Sequence, residues 1–189
     1  MAVNDDLLEK SDIELVKLTL LDQENFLHLV NRYEKKLLRF IQRISGLNYD
    51  DAQDLLQEVF IKVYQNLNDF DQSLKFSSWV YRIARNQAIS NYRKNKSRPQ
   101  VSLFDLDLEA CEHFVSDFDI NQDIDQSLLK EKVARVLANL DSKYREVVIL
   151  KYLEDRSYEE ISDIIKKPPS TVGTLLRRSK IALQKEFKQ

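Results

Sequence analysis

Apolar side chains recur every three or four residues along most of the chain, which is the spacing of one face of an α-helix. The 189 residues include only 2 Gly and 3 Pro, which argues against a turn-rich β fold. The chain is therefore predicted to be all-α. The pattern predicts helices over residues 12–20, 22–45, 51–67, 77–96, 124–139, 142–153 and 158–165, and a last one that Ser170 or Thr171 caps and that runs to about residue 188.

Several helix ends can be read directly from the residue types. Ser11 followed by Glu14, and Ser157 followed by Glu160, have the spacing of a capping box at a helix start. Gly46 is a stop signal for the second helix, because glycine readily adopts the left-handed conformation that ends helices.

The helix predicted at 77–96 carries basic and amide side chains on one stripe. Six basic residues and no acidic one lie between Arg82 and Arg98. At 100° per residue, Arg82, Asn86 and Arg93 share one face, while Val80, Ala84 and Ala88 share another that can pack inward. Arginine pairs with phosphate and asparagine can read a base edge, so the stripe suits a nucleic acid. A solvated amphipathic helix, with Trp79 in the core, is the alternative.

The helix predicted at 51–67 has an unusual outer face. Opposite its broad apolar side it presents Asp54, Gln57, Glu58 and Ile61. An acidic, amide-bearing surface with one aliphatic residue is typical of a partner-binding face. A solvated face with one stray isoleucine is the alternative, since single exposed apolar residues are common.

Charge is sorted into blocks that the net value of −2 conceals. Residues 101–127 contain eight acidic side chains and no Lys or Arg, between basic clusters at 82–98 and 166–180. The blocks divide the chain into a first helical domain, 1–98, an acidic linker, 99–127, and a second helical domain, 128–189. The pattern leaves open whether the two domains pack together.

The end of the chain reads as a helix-turn-helix. A short helix at 158–165 is broken by Pro168 and Pro169 and is followed by a basic helix. In that motif, residues at the start of the second helix contact base edges, and basic residues later in the helix contact phosphates. The alternative is a helical hairpin that has only a structural role. The candidate residues are Ser170, Thr171, Gly173, Thr174, Arg177, Arg178 and Lys180.

Composition argues against several other classes of protein. No apolar run approaches the roughly 18 residues of a membrane span, and the acidic N-terminus lacks a signal-peptide core. The single Cys111 excludes an internal disulfide and fits a reducing cytoplasm. His28, Cys111 and His113 have no ligand or triad spacing, so no catalytic residue, metal, cofactor or small-molecule substrate is predicted.

Three motifs in this order resemble a bacterial RNA polymerase sigma factor of the extracytoplasmic-function group, over nearly the whole chain. DDAQDLLQEVFIKVYQNL resembles the region that binds the clamp helices of the polymerase largest subunit. FDQSLKFSSWVYRIARNQAISNYRK resembles the region that melts and reads the minus-ten promoter element. LDSKYREVVILKYLEDRSYEEISDIIKKPPSTVGTLLRRSKIAL resembles the region that binds the minus-thirty-five element.

The resemblance implies a region 2-like bundle and a region 4-like helix-turn-helix, and it assigns roles to residues. The face at 54–61 would bind the polymerase clamp, and the loop at 71–78 would capture a flipped base. The final helix would enter the major groove. The implied polymerase-binding residues are Asp54, Gln57, Glu58 and Ile61; the minus-ten residues are Asp71, Gln72, Ser73, Lys75, Phe76, Arg82, Asn86 and Arg93; the minus-thirty-five residues are Ser170, Thr171, Thr174, Arg177, Arg178 and Lys180.

The resemblance also implies a non-enzymatic cytoplasmic subunit whose partners are core RNA polymerase, promoter DNA and an anti-sigma factor. Two positions that are commonly basic in the group are Gly173 and Leu175 here, which predicts weaker or redistributed contact with the minus-thirty-five element. The rival readings are a stand-alone helix-turn-helix regulator, an enzyme, and an adaptor that binds protein only.

Overall fold

The computed structural model describes residues 9–95, 116 and 126–187, and in these residues it contains eight α-helices and no strand. The first four helices precede the linker and the other four follow it. They are α1 (Asp12–Leu21), α2 (Phe26–Ser45), α3 (Tyr49–Gln65), α4 (Phe76–Asn95), α5 (Gln126–Asn139), α6 (Ser142–Val148), α7 (Tyr158–Ile165) and α8 (Pro169–Phe187). Short 3₁₀ turns lie at Gln23–Asn25 and Leu67–Asp69, and a π turn at Ile149–Leu153 continues α6.

The predicted helix ends are confirmed where capping chemistry defined them. Ser11 and Glu14 form a reciprocal capping box, and so do Ser157 and Glu160. Gly46 ends α2 in the left-handed conformation, with φ of 69°. The last helix differs from the prediction, because it begins at Pro169 and not after a Ser170 or Thr171 cap. Proline suits the first helical position, since its missing N–H would have no partner there.

We expect Ser157→Ala to lower the free energy of unfolding by about 1 kcal/mol, since the Ser157 side chain accepts the backbone N–H of Glu160 at the start of α7. Chemical denaturation of both proteins measures the difference. Ser142→Ala is the control, because Ser142 is exposed and Asp141 caps its helix. An equal loss in the two variants would contradict the assignment of the cap.

The core of the first half lies between α2, α3 and α4. Leu37, Phe40 and Ile41 of α2 are completely buried, as is Val59 of α3. The inner face predicted for α4 is confirmed, with Val80, Ala84 and Ala88 at 1% exposed or less. Small side chains at two of these positions let α4 approach its neighbours closely.

The two halves of the chain are in contact. Buried residues of the first half, such as Phe40 and Tyr81, belong to the same apolar cluster as Ile149 and Ile161 of the second half. A separate cluster joins α5 to the end of α8 through Leu137 and Leu183. The sequence left open whether the two halves pack together; in the structure they do, because α4 packs directly on α7.

Candidate nucleic-acid interface

The outer face of α3 is exposed as predicted. Asp54, Gln57, Glu58 and Ile61 all lie on the surface, and the Ile61 side chain is 56% exposed. The Glu58 carboxylate accepts a hydrogen bond from the Gln87 side chain of α4 at 3.2 Å. The acidic face of α3 is therefore continuous with the amide-bearing surface of α4. The opposite side of α3 is buried through Ala52, Leu55, Leu56, Val59 and Val63.

The polar stripe on α4 borders a cavity of about 370 Å³ between the end of α3 and the middle of α4. Trp79 and Ile83 form apolar wall, and Arg82 and Asn86 supply polar groups. Apolar walls beside polar groups suit a ring system with polar edges, such as an unstacked nucleobase. The complete lining is Lys62, Asn66, Asp69, Trp79, Arg82, Ile83, Asn86 and Gln87.

Sequence reasoning found Arg82 and Asn86 but missed most of the other lining residues. Lys62 and Asn66 come from α3, and the helical spacing within α4 carries no information about which part of α3 lies beside it. Trp79 was assigned to the core; it is 8% exposed and packs against Phe70 and Phe76, but it also reaches the cavity. Gln87 could have been proposed from the sequence, because it is a second amide side chain directly after Asn86.

An aromatic cluster anchors the loop that precedes α4. Phe70 and Phe76 lie at its two ends, with ring centroids 5.4 Å apart in an edge-to-face arrangement. Between them, Asp71, Gln72, Ser73 and Lys75 are exposed. The backbone N–H of Ser73 donates to the Asp71 carboxylate at 2.9 Å, which lowers the pKa of Asp71 below its usual value.

Not every residue predicted for this site reaches the surface. Phe76 is 2% exposed and packs against Tyr33, Phe70 and Trp79, so its contribution is to hold the loop in place. Arg93 lies on α4, and its side chain is outside the described residues. Tyr81, which lies between Val80 and Arg82 on α4, is completely buried.

The helices α7 and α8 form the predicted helix-turn-helix. Lys166 turns the chain in the left-handed conformation, with φ of 53°, and the backbone N–H of Thr171 and that of Val172 bond to the Pro168 carbonyl. Val172 and Leu176 face inward. Of the predicted contact residues, Ser170, Thr174, Arg177 and Arg178 are exposed, and Thr171 and Lys180 are half-buried.

The two unusual positions of α8 have different surroundings. A Cβ atom at Gly173 would lie 3.7 Å from the Tyr158 ring, an ordinary contact, so the backbone there has room for a Cβ. Tyr158 is 42% exposed, and Lys151 lies above its ring at 5.9 Å from the centroid. Leu175 packs against the core shared by the two halves. Position 175 therefore has a packing role, and position 173 borders an exposed aromatic surface.

Other kinds of site were sought in the described residues. They contain no group of three or more His, Cys, Asp or Glu side chains that could hold a metal ion. Among the same residues no helix is long and apolar enough to cross a membrane. His28 is half-buried on α2, while Cys111 and His113 lie outside the described part of the chain.

Comparison with known proteins gives matches in both halves. The family model for Sigma-70 region 2 matches residues 29–98, and the model for Sigma-70 region 4 matches residues 130–183. The chain is 36% identical over 174 residues to the ECF RNA polymerase sigma factor SigW of Bacillus subtilis, covering 88% of this chain and 91% of the relative. It is 33% identical over 170 residues to the ECF RNA polymerase sigma-E factor of Escherichia coli, covering 86% of each.

Solved structures show the same fold. CnrH, in complex with the cytosolic domain of CnrY, superposes with a TM-score of 0.66 at 23% identity, over 93% of this chain and 96% of that one. The sigma factor RpoE of Bartonella quintana, in complex with the anti-sigma factor NepR, gives a TM-score of 0.62 at 22% identity, over 87% and 98%.

Proposed function

The chain belongs to the ECF sigma factors of bacterial RNA polymerase, and we propose here which of its residues carry out the steps of promoter recognition. It is a promoter-specificity subunit that binds core RNA polymerase and promoter DNA and directs the initiation of transcription. It has no enzymatic activity of its own. The proposed domains are residues 1–98 for region 2, 99–127 for the linker and 128–189 for region 4, with the linker largely outside the described residues.

The outer face of α3 is proposed as the polymerase-binding surface. Ile61 supplies the apolar contact, while Glu58 and Asp54 supply charge one and two turns before it on the same face. An exposed aliphatic residue ringed by polar groups can be desolvated at the centre of an interface, where most binding energy is concentrated.

The cavity between α3 and α4 is the observation that supports the minus-ten proposal. An unpaired base would enter it against the Trp79 and Ile83 walls, with Arg82 near the phosphate and the Asn86 amide at the base edge. The exposed loop residues Asp71, Gln72, Ser73 and Lys75 would contact the same strand where it leaves the duplex. Melting is then driven by binding energy, since each captured base offsets the cost of unstacking.

The start of α8 is proposed to bind the minus-thirty-five promoter element. Ser170, Thr171 and Thr174 would meet base edges in the major groove, and Arg177, Arg178 and Lys180 would meet phosphates. Duplex binding by the free chain should be weak, because this contact surface is small.

We expect Gly173→Arg to tighten binding of the minus-thirty-five duplex and to increase the salt dependence of binding by about one unit of slope. A Cβ atom at position 173 has room beside Tyr158, and the guanidinium beyond it would add one phosphate contact. Titrations of polymerase holoenzyme with promoter duplex at several salt concentrations measure the slope. Gly173→Ala is the matched control, which adds the Cβ without charge. An unchanged slope in the arginine variant would exclude position 173 from the DNA surface.

In vitro transcription tests the proposal as a whole. The purified chain is added to sigma-free bacterial core polymerase on a library of genomic promoters. We expect discrete transcripts whose start sites share two upstream sequence blocks. Core binding without transcripts would contradict the assigned promoter contacts, and absence of core binding would contradict the role of α3.

An anti-sigma factor and a cytoplasmic location are proposed on the ground of family membership. Core polymerase and promoter DNA lie in the cytoplasm, and a regulator that covers the α3 face would keep the chain from them. Purification of the chain from cells grown under several conditions tests for this partner. Recovery with polymerase alone under every condition would argue against it.

A further inference from the structure

Three polar side chains form one chain of hydrogen bonds that joins α3 to α4. The Lys62 ammonium of α3 donates to Gln87 Oε1 of α4 at 2.6 Å. The Gln87 amide nitrogen, Nε2, donates in turn to Glu58 Oε2 of α3 at 3.2 Å. The bonds therefore run in one direction, from a cation through an amide to a carboxylate.

The two partners fix the orientation of the Gln87 amide. An ammonium can only donate and an ionised carboxylate can only accept, so the amide oxygen must face Lys62 and the amide nitrogen must face Glu58. Each bond involves a charged group, and such bonds are stronger than bonds between neutral groups. Each bond also polarises the amide in the sense that strengthens the other. Glu58 thus reinforces the bond between Gln87 and Lys62.

The spacing of the two α3 residues suits a bridging side chain from the neighbouring helix. Glu58 and Lys62 are four residues apart, which places them on one face of α3 and about 6 Å apart along its axis. Gln87 is half-buried on α4, and Ala88 beside it is completely buried. Because α4 packs on α3, the Gln87 side chain starts from a fixed position, and its amide spans the gap between the two charges.

Only part of this chain of bonds borders the cavity between α3 and α4. Lys62 and Gln87 line the cavity, whereas Glu58 lies outside its lining. An ammonium has three N–H groups, and Lys62 gives one of them to Gln87, which leaves two for a ligand. An ammonium is a compact point charge without a preferred plane, so it suits a phosphate oxygen better than the flat edge of a base. Lys62 is therefore suited to the backbone of a strand whose base enters the cavity.

We propose that Gln87 is a positioning residue for promoter binding: together with Glu58 it holds the Lys62 ammonium at the cavity, where Lys62 contacts a phosphate of the minus-ten strand. This role rests on the proposed function, in which the cavity takes an unpaired base of that strand. A lysine side chain in water samples many rotamers, and fixing it on binding costs free energy. The bond to Gln87 already restricts Lys62, so less freedom is lost when the strand binds. Glu58 thus contributes to strand binding without touching the strand.

Binding of a single-stranded oligonucleotide to the holoenzyme tests this role. The oligonucleotide carries the minus-ten sequence of a promoter that the chain transcribes, and fluorescence anisotropy gives its dissociation constant. Core polymerase is kept at saturating concentration, so a change in polymerase affinity does not enter the measurement. We expect Glu58→Ala to weaken strand binding about threefold, the effect of losing one hydrogen bond. Removal of an acidic charge alone would strengthen binding, because it reduces repulsion of the negatively charged strand.

Glu34→Ala is the matched control, since Glu34 is an exposed glutamate of α2 that does not line the cavity. Gln87→Met keeps the size of the side chain and removes both hydrogen bonds, so it should weaken strand binding at least as much as Glu58→Ala. In the double variant Glu58→Ala should have no further effect, because Glu58 acts on Lys62 through Gln87. Equal strand affinity of Glu58→Ala and Glu34→Ala would overturn the proposal, and so would single losses that multiply in the double variant.

The salt dependence of strand binding gives a second readout, for Lys62 itself. We expect Lys62→Met to reduce the slope of log affinity against log salt concentration by about 0.7, the value for one phosphate contact on a single strand. An unchanged slope would overturn the phosphate contact. If the wild-type holoenzyme does not bind the strand, the proposed function of the cavity fails. If it binds the strand and Glu58→Ala behaves as Glu34→Ala does, the role of Gln87 alone fails.

Discussion

Replacement of Ile61 by arginine is expected to weaken binding to core RNA polymerase by about 100-fold, or about 2.7 kcal/mol. The Ile61 side chain is 56% exposed on the outer face of α3, beside the exposed Glu58 carboxylate. At the centre of an interface an arginine in this position would be desolvated without a partner, and it would lose the apolar contact as well. Because the residue packs against little in the free chain, the fold should be unaffected.

Ile181→Arg is the matched control for this prediction. Ile181 is an isoleucine of similar exposure, 61%, on a different helix. Fluorescence or surface-based titration of core polymerase compares the two variants, and thermal unfolding checks that both remain folded. If Ile181→Arg weakened binding as much as Ile61→Arg did, the loss would come from added charge in general and the α3 face would have no special role.

Asn86→Ala is expected to reduce formation of the open promoter complex by about 10- to 100-fold, with core binding unchanged. The Asn86 side chain borders the cavity between α3 and α4, and Arg85 holds its oxygen at 3.2 Å. Its amide N–H groups are then the ones that would contact a base, and a specific base contact contributes about 1–3 kcal/mol of discrimination. Alanine should also relax the base preference at one position of the minus-ten element.

Run-off transcription from promoters substituted at each minus-ten position measures both effects. Asn31→Ala, at an exposed asparagine of α2 away from the cavity, is the control. A uniform loss at all bases would indicate that Asn86 contacts the backbone and does not read a base. Full activity of Asn86→Ala would remove the cavity from the mechanism.

The sequence by itself determined the helices, the capping boxes and the division of α3 and α4 into inner and outer faces. These features depend on residues three or four apart, whose relative positions are fixed by helix geometry. The order of three motifs also determined the family. For the same reason Asp54, Glu58 and Ile61 could be placed together on the surface of one helix before any packing was known.

Tertiary structure alone decided what depends on residues far apart in the chain. The cavity needs Lys62 and Asn66, at the end of α3, beside Asn86 of α4, and the contact between the halves needs Arg43 beside Glu154, more than a hundred positions later. Periodicity gives the face on which a residue lies but not the helix that covers it. Phe76 shows the same limit, because an aromatic residue at a loop end reads equally as a base contact or as an anchor. In the structure Phe76 packs against Tyr33 and Phe70 and so anchors the loop, since burying the ring removes its apolar surface from water.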